Sequence, residues 1–251
     1  AHPARCAHLM LLPKRPPISL PDVAPLAVPD DLAASLSALG VSLDPAAVDK
    51  LARYLALLLA MNEQMNLTAI TAPADAWTRH ALDALTLVAH IPPSARVADI
   101  GSGGGVPAIP LAIARPDARF TLIESTQKKA AFLTDVAAAL GLANVAVRAE
   151  RAEAVAADPS FGGCDVVTAR AVGKLNLLVP LAAALLFKNG VALFIKGQRA
   201  DEELAEAQRE LARHRLTHQE TVATPTGRVV VLRAEGPAAA SHRAPLPRHR
   251  R

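Results

Sequence analysis

Val97-Ala-Asp-Ile-Gly-Ser-Gly-Gly-Gly-Val-Pro107 decides the fold. A short apolar run leads directly into a glycine-rich turn, and an Ala/Ile/Leu stretch of helical character follows. Glycines suit that turn for two reasons. The backbone must reverse sharply, and it must come within van der Waals reach of a ligand lying across the strand's carboxyl end.

Downstream of the loop the pattern repeats. Arg119–Glu124, Val145–Arg148, Asp165–Ala169 and Val191–Lys196 are β-type runs like Arg96–Ile100, separated by Ala/Leu-rich helical stretches. Strands alternating with helices at this spacing predict a parallel sheet with right-handed crossovers. The end departs from the rule, because Leu216–Val222 and Arg228–Arg233 are joined only by Thr224-Pro-Thr-Gly227. A hairpin closing one edge of the sheet antiparallel is expected there.

Upstream, Leu32, Leu36 and Leu39 recur at helical spacing, and Gly40 occupies a left-handed C-cap position. A second helix starts at Asp44-Pro45 and is expected to break near Asn62; a third is expected from about Pro73 to His90. The domain reading is therefore a Pro-rich disordered lead-in over 1–29, a helical subdomain over 30–92, an α/β core over 93–236 and a basic tail over 237–251. The fold class is α/β: Rossmann-like and doubly wound, with a mostly parallel seven-stranded sheet.

The glycine spacing narrows the ligand. Gly101, Gly103 and Gly105 spell G-x-G-x-G, with Val106 where a dinucleotide fingerprint requires its third glycine. A site for S-adenosylmethionine has no pyrophosphate to seat on a helix N-terminus, so it does not demand that glycine. Glu124, ending the second strand, is placed to accept both ribose hydroxyls, which signals a nucleoside without identifying it. Arg148-Ala-Glu-Arg-Ala-Glu153 follows the third strand, where it can read an adenine edge, and Arg170 ends the fourth. Taken singly, each has a duller reading: a tight connection, a solvated strand end, a surface ion pair.

Charge and composition exclude other classes. The net charge is +4, but the tail from Ser241 to Arg251 carries +4 and the first twenty residues +3, which leaves −3 for the body. A basic nucleic-acid-binding core is therefore not indicated by composition, although a local patch remains open. Cys6 and Cys164 offer neither a disulfide framework nor metal-ligand spacing, so no metal and a reducing, cytoplasmic setting are expected. No run of 18 apolar residues or signal-peptide core is present, so no membrane span is expected. Asn66-Leu-Thr68 fits a glycosylation pattern, read as accidental without a secretion signal.

Six pieces in order carry a family resemblance. They are Asn66-Leu-Thr-Ala-Ile70; Arg79-His80 with Asp83 and Leu85; Asp99 to Pro107 through Ile109-Pro-Leu111; Arg151-Ala-Glu153; Ala169-Arg-Ala171; and Lys196-Gly-Gln198. Over roughly 30–235 the chain resembles the RsmG (GidB) family of 16S ribosomal RNA guanine-N7 methyltransferases. It departs from that pattern at Ala84, Ala108 and Gly173-Lys174.

The resemblance implies S-adenosylmethionine held by Gly101, Gly103, Gly105, Val106, Glu124, Ala152, Glu153 and Arg170. It implies a monomer acting on 16S ribosomal RNA or the 30S particle, with Asn66, Arg79, His80, Lys196 and Arg228 as candidates for gripping RNA. Guanine N7 offers an in-plane lone pair without losing a proton, so no catalytic base is assigned, and alignment carries the chemistry. Arg79 and Asp83, one helical turn apart, equally fit a local ion pair. A small-molecule methyltransferase and a noncatalytic nucleoside-binding protein remain as alternatives, and a nicotinamide oxidoreductase ranks last.

Overall fold

The structure is a computed structural model and describes residues 18–235. Its sheet has seven strands in the order β3-β2-β1-β4-β5-β7-β6. They are β1 (Arg96–Ile100), β2 (Arg119–Ile123), β3 (Val145–Arg148), β4 (Cys164–Arg170), β5 (Leu186–Lys196), β6 (Leu216–Ala223) and β7 (Arg228–Ala234). The first five run parallel, and β7 inserts antiparallel between β5 and β6. The doubly wound sheet and its closing hairpin are as the sequence predicts. β5 starts earlier than expected, at Leu186 rather than Val191.

Alternation along the strands divides the apolar residues between two cores. Val97, Val166, Leu193, Val229 and Val231 face one side. Ala98, Val167, Phe194, Val230 and Leu232 face the other. On the first face pack α1 (Leu32–Ala38), α2 (Pro45–Met65), α5 (Ala108–Ala114) and α6 (Gln127–Ala139). On the second pack α7 (Ala152–Ala157), α8 (Leu175–Leu185) and the neighbouring short helices α9 (Ala200–Glu206) and α10 (Gln208–His214). Leu51, Tyr54, Leu55 and Leu58 of α2 share one core with Ile109, Phe120 and Phe132. The helices before β1 thus cover one face of the sheet and share its core.

Local signals explain the first helices. Gly40 sits at φ +65, with its N–H on the Ser37 carbonyl and that of Val41 on the Leu36 carbonyl, which closes α1 in a Schellman motif. Asp44 caps α2 by accepting the Ala47 N–H at 2.7 Å, with Pro45 at the first helical position. α2 does not break at Asn62. It continues to Met65 and ends on Asn66 in the left-handed region, because the Asn62 side chain faces the following loop and accepts the Thr68 N–H at 2.8 Å.

The expected third helix is four pieces: α3 (Pro73–Ala76), a π turn (Trp77–Leu82), α4 (Asp83–Leu85) and a 3-10 turn (Val88–His90). The Pro-rich lead-in also needs correction. Residues 18–29 form neither helix nor strand, as their prolines dictate, yet they are tied down. The Ile18 N–H donates to Asp135, the Leu26 N–H to the Ala52 carbonyl, and the Trp77 indole N–H to the Ala27 carbonyl. Residues 1–17 and 236–251, including most of that lead-in and the basic tail, lie outside the described residues. Among the described residues, no helix is long and apolar enough to cross a membrane.

Candidate active site

Parallel strands point their carboxyl ends to one rim, and there the glycine loop meets the helices before β1. The cavity they enclose measures about 600 Å³. Its floor is Gly101–Gly104 with Val106; Glu124 and Lys129 form one wall, and Arg170 and Ala171 another. Arg79, His80 and the segment Asn66–Ile70 form the roof. A larger cleft of about 980 Å³, lined by residues such as Lys50, Arg96, Arg119 and Asn144, lies apart from the loop. The smaller cavity has the convergent polar groups of a binding site.

The loop is built so that only glycine fits at its contacts. At Gly101, φ is +64, and a Cβ would lie 2.8 Å from a methyl of Val172. At Gly104, a Cβ would lie 2.6 Å from Leu58 and 3.3 Å from Leu67. Buried Tyr54 donates its hydroxyl to the Gly104 carbonyl at 3.0 Å, and burial raises its phenol so far that it remains a neutral donor. Gly105 faces the core instead, towards Ile109 and Leu133.

Glu124 organises the floor. One carboxylate oxygen accepts the Gly103 N–H at 2.9 Å and the other accepts the Thr126 N–H at 2.7 Å. A carboxylate has about four lone-pair sites, so each oxygen keeps a further one for a hydroxyl donor. Asp99, at 1% exposure, lies beneath the loop and accepts the Thr168 hydroxyl at 2.7 Å; its second oxygen has no partner. Burial pushes its carboxyl up to about 7, while the Thr168 and Ser102 hydroxyls hold it lower than burial alone would.

The roof is neutral at its centre. His80 is 4% exposed and shares a hydrogen bond of 3.0 Å with the Thr68 hydroxyl. Burial pushes its imidazole down to about 4, helped by the Arg170 and Arg79 cations, so it is uncharged at neutral pH. Arg170 donates to the Arg79 carbonyl inside the π turn, which binds the end of β4 to the roof. π turns recur at functional sites, where they re-aim a carbonyl or side chain.

The sequence-derived site residues separate accordingly. Gly101, Gly103, Val106, Glu124, Asn66, Arg79, His80 and Arg170 line the cavity together. Ala152 and Glu153 start α7 after β3 and do not line it; Ala152 is buried and Glu153 exposed. Lys196 also lies outside, bound to Glu203 and the Gly173 carbonyl. Arg228 opposes Lys196 across β5 and β7, with its Nε buried and unpartnered. The suggested Arg79–Asp83 ion pair does not form: Asp83 turns the other way and accepts the N–H and hydroxyl of Thr226, in the β6–β7 turn.

Sequence reasoning missed Gly104, Ser102, Thr68 and Lys129. Gly104 and Ser102 lie within the glycine motif, and Thr68 within Asn66–Ile70. Nothing in the sequence marks Lys129, which enters because α6 begins just after Glu124. Among the described residues, no group of three or more His, Cys, Asp or Glu is placed to hold a metal.

Comparison with known proteins adds an independent line. Residues 47–231 match the family rRNA small subunit methyltransferase G (GidB). A ribosomal RNA small subunit methyltransferase G from Sorangium cellulosum (strain So ce56) is 55% identical over 226 residues, covering 89% of this chain and 95% of the relative. One of the same name from Ralstonia nicotianae is 42% identical over 183 residues, covering 70% of this chain and 81% of the relative. Among solved structures, cofactor-bound Rv0187 from MTB superposes with a TM-score of 0.55 at 22% identity, covering 84% of this chain and 99% of that one. At that identity the likeness concerns the fold alone.

Proposed function

The chain belongs to the rRNA small subunit methyltransferase G family, and from that premise we propose that it methylates N7 of a guanine in 16S ribosomal RNA, using S-adenosylmethionine. The observation that carries the reading is the Gly101–Gly104 floor with the Glu124 carboxylate beside it, at the carboxyl ends of parallel strands. Open α/β sheets bind nucleoside cofactors at that place.

The residues present fit such a donor. Glu124 would take the ribose hydroxyls on its remaining lone pairs, and Gly103, where a Cβ would meet only the Gly101 carbonyl oxygen at 3.8 Å, leaves the loop backbone open to a ligand. Ala152 and Glu153 are proposed for the adenine end, beyond the cavity proper. When bound, the sulfonium donor supplies an electrophilic methyl group. The protein's own part is to hold guanine N7 in line with it, excluding water and fixing the angle of approach, and such positioning can lower a barrier by about 7–11 kcal/mol.

No residue needs to take a proton from N7, which carries none. This agrees with a roof whose only imidazole, His80, is buried and hydrogen bonded to Thr68. Asn66, Arg79 and Lys129 at the cavity wall provide donors for phosphate or base edges. Arg228 and Lys196, outside the cavity, would reach RNA only on a neighbouring surface.

The test is methyl transfer from tritium-labelled donor to small-subunit RNA and 30S particles from cells lacking the protein, followed by nuclease digestion and mass analysis. Label in 7-methylguanosine is expected. Label in another nucleoside would move the acceptor, and no transfer to either substrate alongside a working control would sink the RNA reading.

A further inference from the structure

We propose that Lys196 and Glu203 form a positioning pair that sets the connection between β4 and α8 over the methyl-donor site, so that Lys196 serves catalysis through this connection and does not grip RNA. The inference rests on the methyltransferase reading above.

The connection, residues 171–174, is the upper lip of the cavity. Ala171 lines it, and the Val172 methyls lie so close over Gly101 that a Cβ there would meet them at 2.8 Å. Its backbone is not relaxed: Ala171 has φ +55, a region that residues with a side chain rarely occupy. Such a conformation persists only when the surroundings over-determine it.

The surroundings do so here. Lys196 Nζ donates to the Gly173 carbonyl at 2.6 Å and lies 2.7 Å from Glu203 Oε2. That same Oε2 accepts the Leu175 N–H at 3.1 Å, the first residue of α8. Lys174 reaches Glu206, one turn further along α9, at 2.9 Å. One carboxylate thus fixes where α8 starts, and the lysine it pairs with fixes the residue after Val172.

This arrangement argues against an RNA contact. The Lys196 side chain is only 9% exposed, and two protein oxygens occupy its ammonium. One of its three N–H donors remains, but the side chain is too nearly buried for a phosphate to reach it without disturbing the other two. Arg79 and Lys129, which line the cavity and have no ion pair among the described residues, are better placed for that work.

The two roles differ in what they predict for Lys196→Met, Glu203→Gln and Lys196→Arg in the full chain. In the positioning role, Lys196→Met and Glu203→Gln act alike. Each lowers kcat and weakens S-adenosylmethionine binding, together by about tenfold to a hundredfold, the scale of a small misplacement at a reacting centre. The double variant adds little to either single change, because both break one unit. RNA affinity and its salt dependence stay as in the parent, and Lys196→Arg recovers most of the activity.

If Lys196 grips RNA, Lys196→Met weakens RNA binding and lowers the salt slope by about one unit, whereas Glu203→Gln frees the lysine and leaves RNA binding unchanged or stronger. That result overturns the proposal. So does a lowered melting temperature with donor affinity and kcat intact, which marks a merely structural ion pair. Glu203→Gln keeps the volume and an acceptor for Leu175, so it still reports if Lys196→Met fails to fold. Binding of S-adenosylmethionine to the parent protein is measured first: no binding there fails the underlying reading, whereas parent binding with unaffected variants fails only the inference.

Discussion

Burial pushes the Asp99 carboxyl up to about 7 and the His80 imidazole down to about 4, and these shifts act oppositely on folding. The folded Asp99 holds its proton above the pH at which the unfolded chain releases it, so its contribution to stability declines as pH rises through about 4 to 7. The folded His80 resists a proton that the unfolded chain accepts, so its contribution declines as pH falls from 6.5 to about 4. On the conversion of about 1.4 kcal/mol per pKa unit the two are of similar size, about 4 kcal/mol each at most. In the shared window the two slopes offset. Melting temperature against pH should therefore rise from pH 4 to 6.5 in Asp99→Asn and fall over that range in His80→Gln. Identical profiles in both variants would refute the assignment. A steric prediction belongs at this scale too. Gly104→Ala brings a methyl against Leu58 and Leu67, and Leu58 is fully buried, so the loop must yield. The expected cost is about 1–3 kcal/mol in stability, with weakened donor binding, measured by denaturant titration and calorimetry.

Among the elements, the four pieces from Pro73 to His90 depend on partners distant in sequence. Thr226 supplies both hydrogen bonds to Asp83, which is 1% exposed. Thr226→Val removes the hydroxyl and should destabilise the chain by about 2–4 kcal/mol, since a buried carboxylate loses a partner. A denaturation midpoint equal to the parent's would count against that link. Trp77→Phe removes the bond to the Ala27 carbonyl and also leaves a cavity, because Trp77 is 2% exposed in the core; a global loss of about 1–3 kcal/mol is expected, with amide exchange and proteolysis rising most over residues 18–29. The same elements mark what was legible. The strands could be read, apart from the early start of β5, because alternating apolar residues serve two separate cores, and the end of α1 and the start of α2 because Gly40, Asp44 and Pro45 act within their own turn of chain. The π turn could not, because its Arg79 carbonyl answers to Arg170, and Asp83 just after it to Thr226, both distant in sequence. The place of Lys196 was equally hidden: a lysine at a strand end reads as reaching for ligand until α9 brings Glu203 against it. Asn66 did carry a signal, since asparagine tolerates the left-handed conformation that ends α2.

For the whole molecule, the distribution of charge matters more than its total. The body from 21 to 240 carries −3, yet Arg79, Lys129 and Arg170 gather around one cavity. Specific RNA engagement should therefore depend on few cations. Arg79→Met and Lys129→Met are each expected to flatten the plot of log affinity against log salt by about 0.7, measured by fluorescence anisotropy with a small-subunit RNA fragment. An unchanged slope in both would place the phosphate contacts elsewhere. The sheet order has a consequence for timing. β7 follows both β5 and β6 in the chain, yet it lies between them, and the turn before it delivers Thr226 to Asp83. A nascent chain still short of residue 226 has every residue of the donor cavity but lacks the clasp on α4, which continues the π turn carrying Arg79 and His80. The emerging polypeptide therefore completes its catalytic centre only once the β6–β7 turn has been made, and a chain truncated before the hairpin would hold the glycine loop without a settled roof.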